Sequence, residues 1–224
     1  MSKHIDVFAL PTSYKNVDKT MKAMITIFTV RLKEDYGFDE EESRAAMFCT
    51  KFVFGLRNTQ VRPSPVHGRG VFATRKLVAG QLITFYPADF YIKSETPLNE
   101  RMKGPENLYF KVVKSVEMHS LPHAEAVPIL YSEYQITVDQ YVDVVAYPHN
   151  HSDPCYMGHM INDGATCIDT EESKAAYRAS SDKKMNCFIV ILQNVHSGVF
   201  ATRDIEKGEE LFLRYGENYW IHYQ

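Results

Sequence analysis

No two cysteines in this chain stand as Cys-x-x-Cys, and the four present, Cys49, Cys155, Cys167 and Cys187, form no regular framework. That argues against the common structural zinc motifs and against a disulfide scaffold, and it points to a reduced, intracellular protein. Lysine and arginine form no rich cluster. With 25 of them against 28 acidic residues the formal charge is −3, and the pI is near 6.3. A dedicated nucleic-acid surface is therefore not expected, and nothing distinguishes nucleus from cytoplasm. Long apolar runs are missing too. A stretch such as Cys187 to Leu192 is far short of the roughly 20 residues that cross a bilayer, so no membrane partner is expected. Met1-Ser2-Lys3-His4 leads into only a short apolar patch, which does not read as a secretory leader. Tryptophan occurs once, at Trp220.

Apolar residues make up 45% of the 224, enough for a substantial core. Among them lies a repeat. Gly70-Val71-Phe72-Ala73-Thr74-Arg75 returns unchanged as Gly198-Val199-Phe200-Ala201-Thr202-Arg203. Each copy has a glycine five residues after its arginine, Gly80 and Gly208, and then runs through apolar residues to a tyrosine, Tyr86 and Tyr215. Two distant copies cannot make a solenoid, which needs about three adjacent units. Each copy reads strand, turn, strand, and predicts two similar hairpins within one β-rich domain.

The first sixty residues read as helical. Val17, Met21, Met24, Ile25, Phe28 and Leu32 share a face at three- and four-residue spacing. Gly37 is a C-terminal stop. Asp39 with Glu42 forms a capping box for a second helix through Ala45, Cys49, Phe52 and Val53, ending near Gly55. Arg62-Pro63-Ser64-Pro65 marks a boundary. The expected organisation is a helical extension over 1–60 and a β domain over 61–224. Within the latter, 93–128 is irregular with short helices, and the polar stretch 169–184 is an exposed loop or short helix.

Four pieces carry the chemistry: Gly68-Arg69-Gly70 at the start of a strand; Tyr141-Val142-Asp143 leading to Gly158-His159-Met160-Ile161-Asn162-Asp163-Gly164; Asn186-Cys187-Phe188-Ile189-Val190; and Gly208-Glu209-Glu210-Leu211-Phe212-Leu213-Arg214-Tyr215-Gly216-Glu217-Asn218-Tyr219-Trp220. In this order they resemble the SET-domain family of protein lysine methyltransferases, over about residues 62–222 with 169–184 inserted. The lack of flanking cysteine clusters matches its compact, zinc-free branch. The resemblance implies an α+β, mostly β fold of small sheets with a pseudo-knot, carrying the N-terminal helical extension.

The resemblance also implies roles. Gly68, Arg69 and Gly70 would line an S-adenosylmethionine pocket through their backbone, and Asn162 would hold the methionine end of that cofactor. Asp163 stands where the family has a histidine whose backbone contacts adenine. His159 takes the place of an arginine or histidine near the cofactor. Tyr215 matches the tyrosine at the methyl-transfer centre, and Tyr86 a second tyrosine at the end of the lysine channel. Tyr219 and Trp220 match the aromatic end that closes over adenine and the channel. Leu213 and Ile189 would form an apolar channel floor, roomy enough for more than one methyl. The partner would be a protein or peptide bearing a target lysine, a histone tail among the candidates.

The residues suit that chemistry. Methyl transfer from a sulfonium to an amine needs alignment more than acid or base strength. The lysine must arrive neutral, which at pH 7 costs roughly 4.6 kcal/mol from a reference pKa near 10.4. An aromatic channel disfavours the ammonium, and tyrosine hydroxyls can orient the amine. Two departures, Asp163 for histidine and Arg214 before the tyrosine, keep a second class open: a catalytically weak SET-like module that binds a peptide. His149, His151, Asp153, Cys155 and His159 have zinc-ligand chemistry but no spacing of known geometry, so no metal site is expected.

Overall fold

The computed structural model describes residues 14–49, 51, 55–94, 110–113, 131–194 and 196–223. Two helices come first, α1 (Tyr14–Tyr36) and α2 (Glu40–Cys49). The predicted stripe faces inward: Val17, Met21 and Leu32 are buried, with Met24, Ile25 and Phe28 partly so. Gly37 closes α1 in the left-handed region, φ 69°. Its N–H reaches Lys33 O at 3.1 Å and that of Phe38 reaches Leu32 O at 3.2 Å, satisfying carbonyls a helix end would leave open. The capping box of α2 is formed on both sides, Glu42 N–H to Asp39 Oδ1 at 2.8 Å and Asp39 N–H to Glu42 Oε2 at 3.0 Å. Phe52 and Val53 and most of 93–128 lie outside the described residues.

Strands follow: β1 (Thr59–Pro63), β2 (Arg69–Ala73), β3 (Leu82–Tyr86), β4 (Phe90–Ser94), β5 (Phe110–Val113), β6 (Gln135–Thr137), β7 (Val142–Val145) and β8 (Asn162–Asp163). Helix α3 (Glu171–Lys184) precedes β9 (Cys187–Leu192), β10 (His196–Ala201), β11 (Phe212–Leu213) and a short helix α4 (Glu217–His222). They form four small sheets: β1-β2, β3-β10-β9, β8-β11 and β5-β4-β7-β6.

The repeat folds differently from the two hairpins expected. Neither copy pairs with itself. The second strand of the first copy, β3, runs antiparallel to the first strand of the second copy, β10. Reciprocally, Phe72 of β2 bridges Glu210. The turns are exchanged in the same way: Gly80 N–H bonds Ala201 O, and Gly208 N–H bonds Ala73 O, both at 2.8 Å. Leu77 and Ile205 sit between them and bond each other in both directions. The repeat is thus a pseudo-twofold exchange. It gathers Val71, Ala73, Leu77, Val199, Ala201 and Ile205 in one buried cluster and brings the two copy-terminal tyrosines to one place.

Of the two forms expected for 169–184, the helix is the one found, over Glu171–Lys184. Thr170 caps α3 by accepting the Ser173 N–H, and Glu171, Glu172 at its start and Lys183, Lys184 at its end complement the helix dipole. Tyr177 and Ser181, one turn apart, are buried, so α3 is an integral part of the fold.

Candidate active site

A cavity of about 740 Å³ opens between β8, β11, the loop before β2 and α4. Gly68, Arg69, Tyr86, His159, Asn162, Asp163, Ile189, Leu213, Tyr215, Tyr219 and Trp220 all line it. Of the predicted site residues only Gly70 is not on its wall, and its role is one of clearance. A Cβ there would come within 2.0 Å of Glu210 Oε1 and 3.1 Å of Asn162 Nδ2. The absence of a side chain lets Asn162 reach past it. The Asn162 amide donates to His67 O at 3.0 Å, Arg69 O at 3.1 Å and Glu210 Oε1 at 3.2 Å, pinning the loop that walls one side of the cavity.

Tyrosines gather on the same cavity. Tyr86, 7% exposed, donates its hydroxyl hydrogen to Tyr134 O at 2.7 Å. Tyr215 donates to Ile161 O at 2.6 Å. With both hydrogens committed to carbonyls, each phenol oxygen keeps its lone pairs as acceptors. Burial pushes both phenols well above their ordinary pKa, so they stay protonated at any working pH. Tyr219 meets the Tyr215 ring edge-on at 4.6 Å between centroids, and Trp220 stacks on it at 6.0 Å and 16°. Tyr134, Glu133, Ile136 and Met185 also line the cavity. Sequence reasoning missed them, because one tyrosine among fourteen carries no motif. Gly158 lets its turn lie against β3: a Cβ there would meet Tyr86 Cα at 2.8 Å.

The parallel pairing Phe212↔Asn162 and Leu213↔Asp163 sets Asn162 and Asp163 beside the segment that leads to Tyr215. Leu213 and Tyr215, two apart, both reach the cavity. His159 is 4% exposed, and neither ring nitrogen has a hydrogen-bond partner. Its ring lies edge-on to Tyr86 and Tyr134, each at 6.3 Å. Burial lowers its pKa to about 4, so the imidazole is neutral, with one acceptor nitrogen unused.

Asp163 is used by its side chain as well as its backbone. The carboxylate accepts from Tyr177 at 2.5 Å, the Tyr215 N–H at 2.9 Å and Trp220 Nε1 at 3.3 Å on Oδ2. It accepts from Ser181 at 2.9 Å and the Ala165 N–H at 3.1 Å on Oδ1. Arg214, also on the cavity's lining, bonds Asp182 of α3 at 2.8 Å. The His/Cys/Asp series before the site is dispersed: the Arg69 guanidinium lies 3.1 Å from His151 Nε2, and Asp153 caps the Cys155 N–H at 2.9 Å. Among the described residues no group could hold a metal ion, and no described helix is long and apolar enough to cross a membrane.

A family model for the SET domain matches residues 68–216. The chain therefore belongs to the SET-domain family, whose activity is of the lysine methyltransferase type, exercised on proteins and in general with S-adenosylmethionine. No curated protein matches the chain.

Proposed function

We propose that this chain is an S-adenosylmethionine-dependent protein lysine N-methyltransferase. The observation that carries this reading is the cavity's lining: two phenol oxygens, each anchored by a bond to a carbonyl, together with the Asn162-pinned loop of Gly68 and Arg69. The cofactor, when bound, supplies a methyl group on a sulfonium. The residues suit it. The volume lies in the range of small-ligand sites. The two unpartnered nitrogens of His159 are buried polar atoms that call for a partner from the cavity. Arg69 offers a guanidinium for a carboxylate, and Trp220 an aromatic face for a base.

The chain's own part is to receive and orient the amine. Tyr86, Tyr134, Tyr215 and Tyr219 give the lysine a low-dielectric, aromatic passage that disfavours its ammonium form. The acceptor oxygens of Tyr86 and Tyr215 hold the amine N–H groups, which leaves the nitrogen lone pair free to point across the cavity. Alignment of this kind is worth several kcal/mol of barrier. Histone tails are candidate substrates among lysine-bearing proteins. Transfer of tritiated methyl to core histones, a cytosolic extract and the protein itself tests the reading. Acceptance by none of them, with the protein folded and millimolar cofactor present, would overturn it. Tyr215→Phe should lower turnover by about 100-fold or more, since one alignment contact is lost, while the melting temperature moves little. Wild-type turnover would remove Tyr215 from the centre.

A further inference from the structure

We infer that Asp163, gripped by Tyr177 of α3, is a positioning residue that sets the catalytic Tyr215 and the Trp220 ring. This deepens the methyltransferase reading above and rests on it for its kinetic arm. The geometry is that of a single buried acceptor with donors from α3, α4 and the loop between β11 and α4. Oδ2 takes the Tyr215 main-chain N–H, the Trp220 indole N–H and the Tyr177 hydroxyl together. The Tyr177 oxygen in turn accepts the Gly216 N–H at 2.9 Å. Both backbone amides around the active-site tyrosine are thus fixed by one Asp163–Tyr177 unit. On its other oxygen Asp163 is held from behind by Ser181 and the Ala165 N–H.

Helix α3 is built to hold that grip. Tyr177 and Ser181 are one turn apart on its buried face. Its last turn docks onto Gly164, where a Cβ would collide with Lys184 Cβ at 2.6 Å, and Lys184 Nζ bonds Gly164 O at 2.6 Å. Burial, and next the bond to Asp163, push the Tyr177 phenol up to about 12, so it remains a donor. An imidazole at position 163 could accept on only one nitrogen, whereas the carboxylate accepts five donors on two. The acidic residue and the inserted helix therefore work as one device: α3 supplies the hydroxyl, and Asp163 passes its position to Tyr215 and Trp220.

Asp163→Asn tests this with little change of shape. Either orientation of the new amide sets an NH2 against a main-chain N–H, of Tyr215 or of Ala165, that cannot turn away. Tyr177→Phe removes one hydroxyl and serves if the first variant folds poorly. Lys174→Ala, on the same helix but bonded to Asp169 and Glu171, is the control. Both test variants should lower kcat per folded molecule by about 100-fold, as a small misplacement of an aligned group does, with KM for the protein acceptor that the tritium assay identifies within about threefold. Because Trp220 is the only tryptophan, its emission and acrylamide quenching report the ring's setting directly. Both should change in the test variants and stay as wild type in the control. A kcat and a Trp220 emission unaltered in both variants, with only the melting temperature lowered, would reduce Asp163 to a fold-holding role and overturn the proposal. If the wild-type chain methylates nothing, the functional reading fails and the fluorescence decides alone: altered Trp220 emission in Tyr177→Phe supports the grip, unaltered emission refutes it.

Discussion

His159 shows how a site residue can set a condition on the whole fold. Its ring is buried without a hydrogen-bond partner, and burial holds its folded-state pKa near 4, against 6.5 ordinarily. The charged groups that act on it partly oppose each other: Asp89 favours the proton, Lys51 and His151 disfavour it. As pH falls below 6.5 the unfolded chain takes up a proton that the folded chain refuses. Stability from this residue is therefore complete above pH 6.5, declines between 6.5 and 4, and is lost below 4, a total of about 3 kcal/mol. Urea unfolding of the wild type and of His159→Leu at pH 7, 5.5 and 4.5 measures it. The gap between the two should move in the variant's favour on acidification; parallel curves would mean that His159 is hydrated or charged in the folded protein. A bound ligand that donates to the free nitrogen should widen the window further, because it too prefers the neutral ring.

Strands β9 and β11 bring apolar side chains to the cavity. Leu213, 6% exposed, lines the cavity at the end of β11, and Ile189, paired with Val199, lines it from β9. Neither side chain can hold a water by a hydroxyl, and leucine takes less room than an aromatic ring. A methylated amine should thus fit and turn, so fully turned-over peptide should carry more than one methyl by mass spectrometry. Leu213→Tyr should shift it toward one, and a wild-type product that stops at one methyl would refute the argument. At this scale the sequence was legible where order is local. The α1 stripe, its Gly37 stop and the Asp39–Glu42 box all depend on neighbours within a turn or two, and each stands where periodicity put it. Pairing was not legible. The repeat promised hairpins, but β3 of one copy pairs with β10 of the other, over a hundred residues away. Most of the cavity's lining was readable because its motifs are short and contiguous. The Asp163–Tyr177 bond was not, since nothing in a polar, lysine- and serine-rich stretch marks one tyrosine as turned inward. Tyr134 escaped notice because what it gives Tyr86 is a backbone carbonyl, which no residue type announces.

The whole molecule packs the N-terminal helices against the β-rich body. Val17 and Met21 of α1 are fully buried in one cluster with Leu82 and Phe85 of β3, Leu192 of β9 and Phe200 of β10. Leu32, Met47 and Phe48 join Tyr91, Val142 and Val144 of the four-stranded sheet. Polar ties cross the same seam: Gln193 to Asp18 at 2.6 Å, Lys51 to Asp89 at 2.7 Å and Arg44 to Asp139 at 2.5 Å. The strands that α1 covers, β3, β9 and β10, are those that carry Tyr86 and Ile189 into the cavity from their other side. Helix and site thus share one sheet, and unfolding should be a single cooperative event. Met21→Ala removes a fully buried side chain from this seam and should cost about 2–5 kcal/mol. Far-UV circular dichroism follows all helices, whereas fluorescence follows Trp220 alone, at the far end of the chain. In a cooperative molecule both transitions shift together to lower urea in the variant. If α1 were an independent appendage, the dichroism would show an early step and the Trp220 transition would stay where it is in the wild type.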